Sequence, residues 1–98
     1  MNKPGDRVGA ILSANENIVN LLGYGIYEGN FIPEDDKILH PIFGIPIKEL
    51  NIPNPRIKLD SGDVVWGCQC WWGAEDRVKA SIDSRLVRIV NTDGEILG

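Results

Sequence analysis

The 98-residue sequence predicts a small, mainly β domain built as a curled sheet with one short helix and one long proline-rich loop. Three observations predict it. Short apolar runs are separated by glycine, asparagine and aspartate turns. Arg56-Ile57-Lys58-Leu59 and its continuation alternate with the period of a half-buried strand. Five of the six prolines lie between positions 30 and 55, where they exclude long regular elements.

In chain order, Arg7-Val8-Gly9-Ala10-Ile11-Leu12-Ser13 reads as a first strand entered through Pro4-Gly5-Asp6. Ala14-Asn15-Glu16-Asn17 reads as a turn, and residues 18–27 as a second strand whose Gly23 and Gly25 permit a bend or bulge. Residues 30–55 form the long loop. It carries nine large apolar residues from Ile32 to Ile52, more than a solvated linker would hold. Three Ile-Pro pairs make it a stiff path lying across its own sheet or a second subunit. Asp60-Ser61-Gly62-Asp63 then closes a hairpin between residues 56–59 and a returning strand at 64–72. Ala74, Val78 and Ile82 recur every four residues behind acidic Glu75 and Asp76, which predicts a short amphipathic helix. Residues 86–90 supply a closing strand, and Asn91-Thr92-Asp93-Gly94 a last turn.

Gly5-Asp6-Arg7-Val8, Gly23-Tyr24-Gly25-Ile26-Tyr27-Glu28-Gly29 and Leu59-Asp60-Ser61-Gly62-Asp63-Val64-Val65-Trp66 together resemble the early strands of Src-homology-3-like barrels, over about two-thirds of the chain. The resemblance implies a partly open, five-stranded antiparallel barrel and a binding role, without choosing a ligand. The run from Ile52-Pro53-Asn54-Pro55 to Gly73-Ala74-Glu75 also resembles small uncharacterised bacterial and phage proteins, which carry no activity across.

One domain is expected over residues 1–98, since a chain this long buries roughly 65% of its unfolded surface. The formal charge of −4 and the scattering of ten basic residues speak against DNA, RNA or an anionic membrane as partner. The polar start Asn2-Lys3-Pro4-Gly5-Asp6 and the two close cysteines point to a cytoplasmic protein, in a bacterium or in the host cytoplasm of a phage.

All three tryptophans and both cysteines fall within Trp66-Gly67-Cys68-Gln69-Cys70-Trp71-Trp72-Gly73. On an unbroken strand Trp66, Cys68, Cys70 and Trp72 would share the core face, leaving Trp71 outward beside Gly67 and Gln69. Two readings follow. Either all three indoles are core, or Trp71 joins Tyr24 or Tyr27 as an aromatic platform, with Arg56, Lys58 and Gln69 supplying polar contacts to a nucleotide-like ligand. Cys68, Cys70 and His40 fall one short of the four ligands of a structural zinc site, which only a two-fold dimer would complete, so no metal and no cofactor is expected. Glu34, Asp35 and Asp36 lack the looped spacing of a calcium site.

No nucleophile motif accompanies His40. The expected function is therefore a non-enzymatic binding module that self-associates through Ile42, Phe43, Ile45, Ile47 and Leu50. It would take a small polar ligand or a protein partner, one version being a phage protein that sequesters a host nucleotide immune signal. The alternative is a small hydrolase using His40 and the acidic loop.

Overall fold

A computed structural model of the chain describes residues 2–97. Its elements are β1 (Arg7–Ala14), β2 (Ile18–Phe31), α1 (Ile47–Leu50), β3 (Asn54–Leu59), β4 (Val64–Trp66), a 3-10 turn (Gly67–Gln69), β5 (Trp71–Ala74), α2 (Glu75–Ile82) and β6 (Leu86–Ile89). Five strands form the antiparallel order β4-β3-β2-β1-β5, and the sheet curls without closing. The expected mainly β, partly open barrel is present. The strand count is corrected to six, because β6 pairs with the first residues of β2 in parallel. A parallel neighbour needs a crossover rather than a tight turn, and α2 provides it.

The fourteen-residue β2 is the spine. Residues 19–26 pair with β1; on the opposite edge residues 25–31 pair with β3 and residues 18–21 with β6. Its length exceeds the expected 18–27, since pairing with β3 carries the strand on to Phe31. Close approach of backbones is concentrated at Gly25, where an added Cβ would lie 2.1 Å from the Lys58 carbonyl oxygen.

The core is formed by Val8, Ala10, Leu22, Tyr27, Ile57, Leu59, Val65 and Val90, with Leu12, Cys70 and Trp72 packed against it. On the outer face α2 lies across β1. Gly9 makes that possible, because a Cβ there would come within 2.9 Å of the Tyr24 ring and of Val78. Arg7 ties three elements together, pairing with Asp60 of the β3–β4 turn at 2.7 Å and with Glu75 of α2 at 3.2 Å. This guanidinium holds the Asp60 carboxyl below its usual range.

Two further expectations are corrected. The returning strand at 64–72 is broken: Gly67–Gln69 winds into a 3-10 turn held by the Trp66 amide donating to Gln69 Oε1 at 3.0 Å. Strict alternation of faces therefore ends at Trp66. The proline-rich stretch is also not a bare loop. Leu39 and Pro46 form an isolated antiparallel bridge, followed by the single turn of α1, so residues 38–47 make a miniature hairpin arm. At its tip the Ile42 and Phe43 amides donate to His40 Nδ1, each at 3.1 Å, and the imidazole stacks on Phe43 at 4.5 Å.

Candidate functional site

The broken strand decides where each tryptophan goes. Trp72 faces inward opposite Ala10 and packs on Tyr27, with ring centroids 5.0 Å apart. Trp71 lies opposite Ile11 on the outer face and is 82% exposed. Trp66 is half-buried at the end of β4, before the 3-10 turn that leads to β5.

Trp71 separates two adjoining hollows. A cleft of about 440 Å³ is lined by residues 11–14 of β1, Trp71, Ser81 and Arg85. A shallower hollow of about 240 Å³ continues on the other side of the indole, reaching Gly73, Arg77 and Val78. Arg77 and Ser81, four residues apart on α2, share a face of the helix, and Arg85 follows just past its end, where it lines the cleft with Ser81. Arg85 anchors the helix end: its Nε donates to the Ile82 carbonyl at 3.2 Å, its Nη1 to the Asn15 carbonyl at 3.0 Å, and its Nη2 to the Ser81 carbonyl. These partners are neutral. Among the described residues no carboxylate lines either hollow, and neither Arg77 nor Arg85 forms an ion pair. In a chain with 14 acidic against 10 basic residues, this is a locally positive patch beside a bare indole.

The other residues expected at this site are dispersed. Between Trp71 and both tyrosines runs β1, because β5 pairs with β1 and not with β2. Tyr24 lies beneath α2, with Lys79 Nζ 5.1 Å from its ring centre. Tyr27 is buried in the core and its hydroxyl donates to Asn30 Oδ1 at 2.6 Å. Arg56 sits on β3, 3.1 Å from Glu28 in an alignment too poor for a hydrogen bond, and its guanidinium lies 5.8 Å from the Phe31 ring centre. It lines a separate hollow of about 360 Å³ with Phe31, Ile32, Glu34 and Trp66. Lys58 is exposed on the same strand, opposite Val64. Gln69 is used within the 3-10 turn. Sequence reasoning found Trp71 and missed Arg77 and Arg85. Arg77 had a signal in its four-residue spacing from Ser81 on the expected helix; Arg85, past the helix end, had none.

The arm divides the five expected interface residues. Ile42 (82%), Phe43 (67%) and Ile45 are exposed, and Leu50 is half-buried. Ile47 is a correction: at 1% exposure it is sealed at the base of the arm, where α1 turns it inward.

Both cysteines are free. Burial pushes the Cys70 thiol up to about 12, aided by its neighbour Cys68, whose own thiol is raised by burial. A thiol held neutral in this way is a poor nucleophile and a poor soft-metal ligand. No group of three or more histidine, cysteine or acidic residues is arranged to hold a metal ion among the described residues. No helix among them is long and apolar enough to cross a membrane. No family model, curated protein or solved structure matches this chain.

Proposed function

We propose that this protein is a non-enzymatic recognition module whose binding surface is the Trp71 cleft. The observation that carries the reading is the 82% exposure of Trp71 between a cleft lined by Arg85 and a hollow lined by Arg77, neither arginine paired with a carboxylate among the described residues. An indole left in water forgoes on the order of 4 kcal/mol of burial that a partner would recover. Arginine and tryptophan are also the side chains most often found dominating protein interfaces.

Of the two ligand classes the sequence suggests, a segment of a protein partner draws more support than a nucleotide. A stacked nucleotide is best held between two rings, and neither Tyr24 nor Tyr27 stands opposite Trp71. Arg56 and Lys58, the expected phosphate contacts, lie on β3 and line neither hollow beside Trp71. Sequestration of a nucleotide signal by a phage protein therefore rests on the indole and on Arg77 and Arg85 alone. Self-association is the second part of the reading, favoured by the exposed Ile42, Phe43 and Ile45 at the tip of the arm.

Screening nucleotides and short peptides by NMR, with the Trp71 indole signal assigned through Trp71→Phe, tests the site. Ligands that bind are expected to move that signal, and Trp71→Ala is expected to weaken them at least about tenfold. Ligands that bind Trp71→Ala as tightly as the parent protein would remove the cleft from consideration.

A further inference from the structure

We propose that residues 12–14 of β1 accept an extended acidic peptide as an added strand, in line with β5. This rests on the reading of the Trp71 cleft as the binding surface and names the kind of partner it takes. The register carries the argument. Pairing between β5 and β1 ends at Trp71 opposite Ile11, whereas β1 runs on to Ala14. On its other edge β1 remains paired to the end, Ala14 lying opposite Val19 of β2, which in turn pairs with β6. That part of the sheet is thus three strands with β1 outermost. Among the described residues no strand stands beside residues 12–14 on the side that β5 has left.

The vacated side is not flat surface. It is the floor of the 440 Å³ cleft, walled by Trp71 at one end and by Ser81 and Arg85 along the flank. Backbone N–H and C=O groups along a strand edge point in the plane of the sheet and pair with any chain laid alongside. Three residues of open edge span about 10 Å, room for a short strand and too little for uncontrolled sheet growth. The irregular register between Ile11 and Ser13 limits it further, since bulged edges resist indiscriminate pairing.

Charge selects the occupant. Arg85 lines the cleft and Arg77 the neighbouring hollow past Trp71, no carboxylate lines either among the described residues, and the three hydrogen bonds of Arg85 go to carbonyls that leave its charge unneutralised. A peptide with carboxylates on alternate residues would present them on one side of the added strand, toward the arginines, and apolar residues on the other.

The test uses the full-length ¹⁵N-labelled chain and five probes. These are acetyl-Val-Glu-Val-Glu-Val-amide, its lysine counterpart, two versions of the acidic peptide N-methylated at complementary alternate residues, and AMP. The acidic peptide is expected to move the Trp71 indole signal and slow exchange of amides within residues 12–14 at least about tenfold, while the lysine peptide binds at least about tenfold more weakly. One N-methylated version is expected to bind like the parent and the other to lose at least about tenfold, because only one edge of a strand faces β1. Equal binding by both, or no slowing at residues 12–14, overturns strand addition while a moving Trp71 signal keeps the cleft as the binding surface. AMP moving Trp71 where no peptide does overturns the peptide class. If no probe moves Trp71, both this inference and the reading beneath it fall. Trp71→Ala, checked for an unchanged spectrum in the barrel core, is expected to lose the acidic peptide.

Discussion

The barrel and the arm are built from the same kinds of apolar residue, yet their fates are opposite. Val8, Val19 and Ile57 are fully buried within the sheet, whereas Ile42 and Phe43 stand largely in water. In the barrel β1, β2 and β3, which carry Val8, Val19 and Ile57, each have a strand on both sides, so alternation delivers their side chains to a shared interior. The arm has one isolated bridge and one helical turn, enough to enclose Ile47 and Pro33 and nothing further out. Apolar composition alone does not decide burial; the number of elements available to close over a side chain does.

The comparison is broken most severely at Gly25. Gly25→Ala forces a Cβ into the backbone of β3 and is expected to cost about 3 kcal/mol or to prevent folding, read as a lower urea midpoint. A loss below about 1 kcal/mol would mean that β2 and β3 are far less tightly apposed than the register requires. A smaller effect comes from Cys70. Its folded thiol titrates near 12 against 9.0 unfolded, so its contribution is complete below pH 9.0 and declines as pH rises toward 12. At pH 10 the loss attributable to this thiol is about 1 kcal/mol, and Cys70→Ala is expected to flatten that part of the alkaline slope in thermal melts. An alkaline slope unchanged by the substitution would show that the thiol is not closed off from water. The smallest effect on stability belongs to the arm tip. Ile42→Glu combined with Phe43→Glu is expected to leave the urea midpoint within about 0.5 kcal/mol while abolishing self-association in analytical ultracentrifugation. A large loss of stability instead would make the tip part of the core.

Much of this architecture was legible from local pattern. The turn at residues 60–63 and the helix behind Glu75 and Asp76 each follow from neighbouring residues alone, whereas the outward Trp71 was one of two readings and its supporting alternation is interrupted at Gly67–Gln69. What was not legible depends on distant partners. Gly67 looks like a strand glycine until Pro55 is seen within 2.8 Å of its would-be Cβ, which leaves no room for a side chain where the 3-10 turn begins. Tyr27 looks like half of a platform until β5 is found to pair with β1. Arg85 carries no motif, and its place beside Trp71 appears only once α2 lies across β1.

The parallel seam between Ile18–Leu21 and Leu86–Ile89 joins nearly the two extremes of the described chain. No local hairpin can start it, so its register waits on the docking of the crossover that precedes it. Pairing across so long a stretch of chain carries a large closure cost, so residues 86–89 are expected to gain amide protection after the β1–β2 hairpin in pulsed hydrogen exchange. The segment bearing Arg85 leads directly into that seam, so one wall of the cleft is held in place by a pairing between distant parts of the chain.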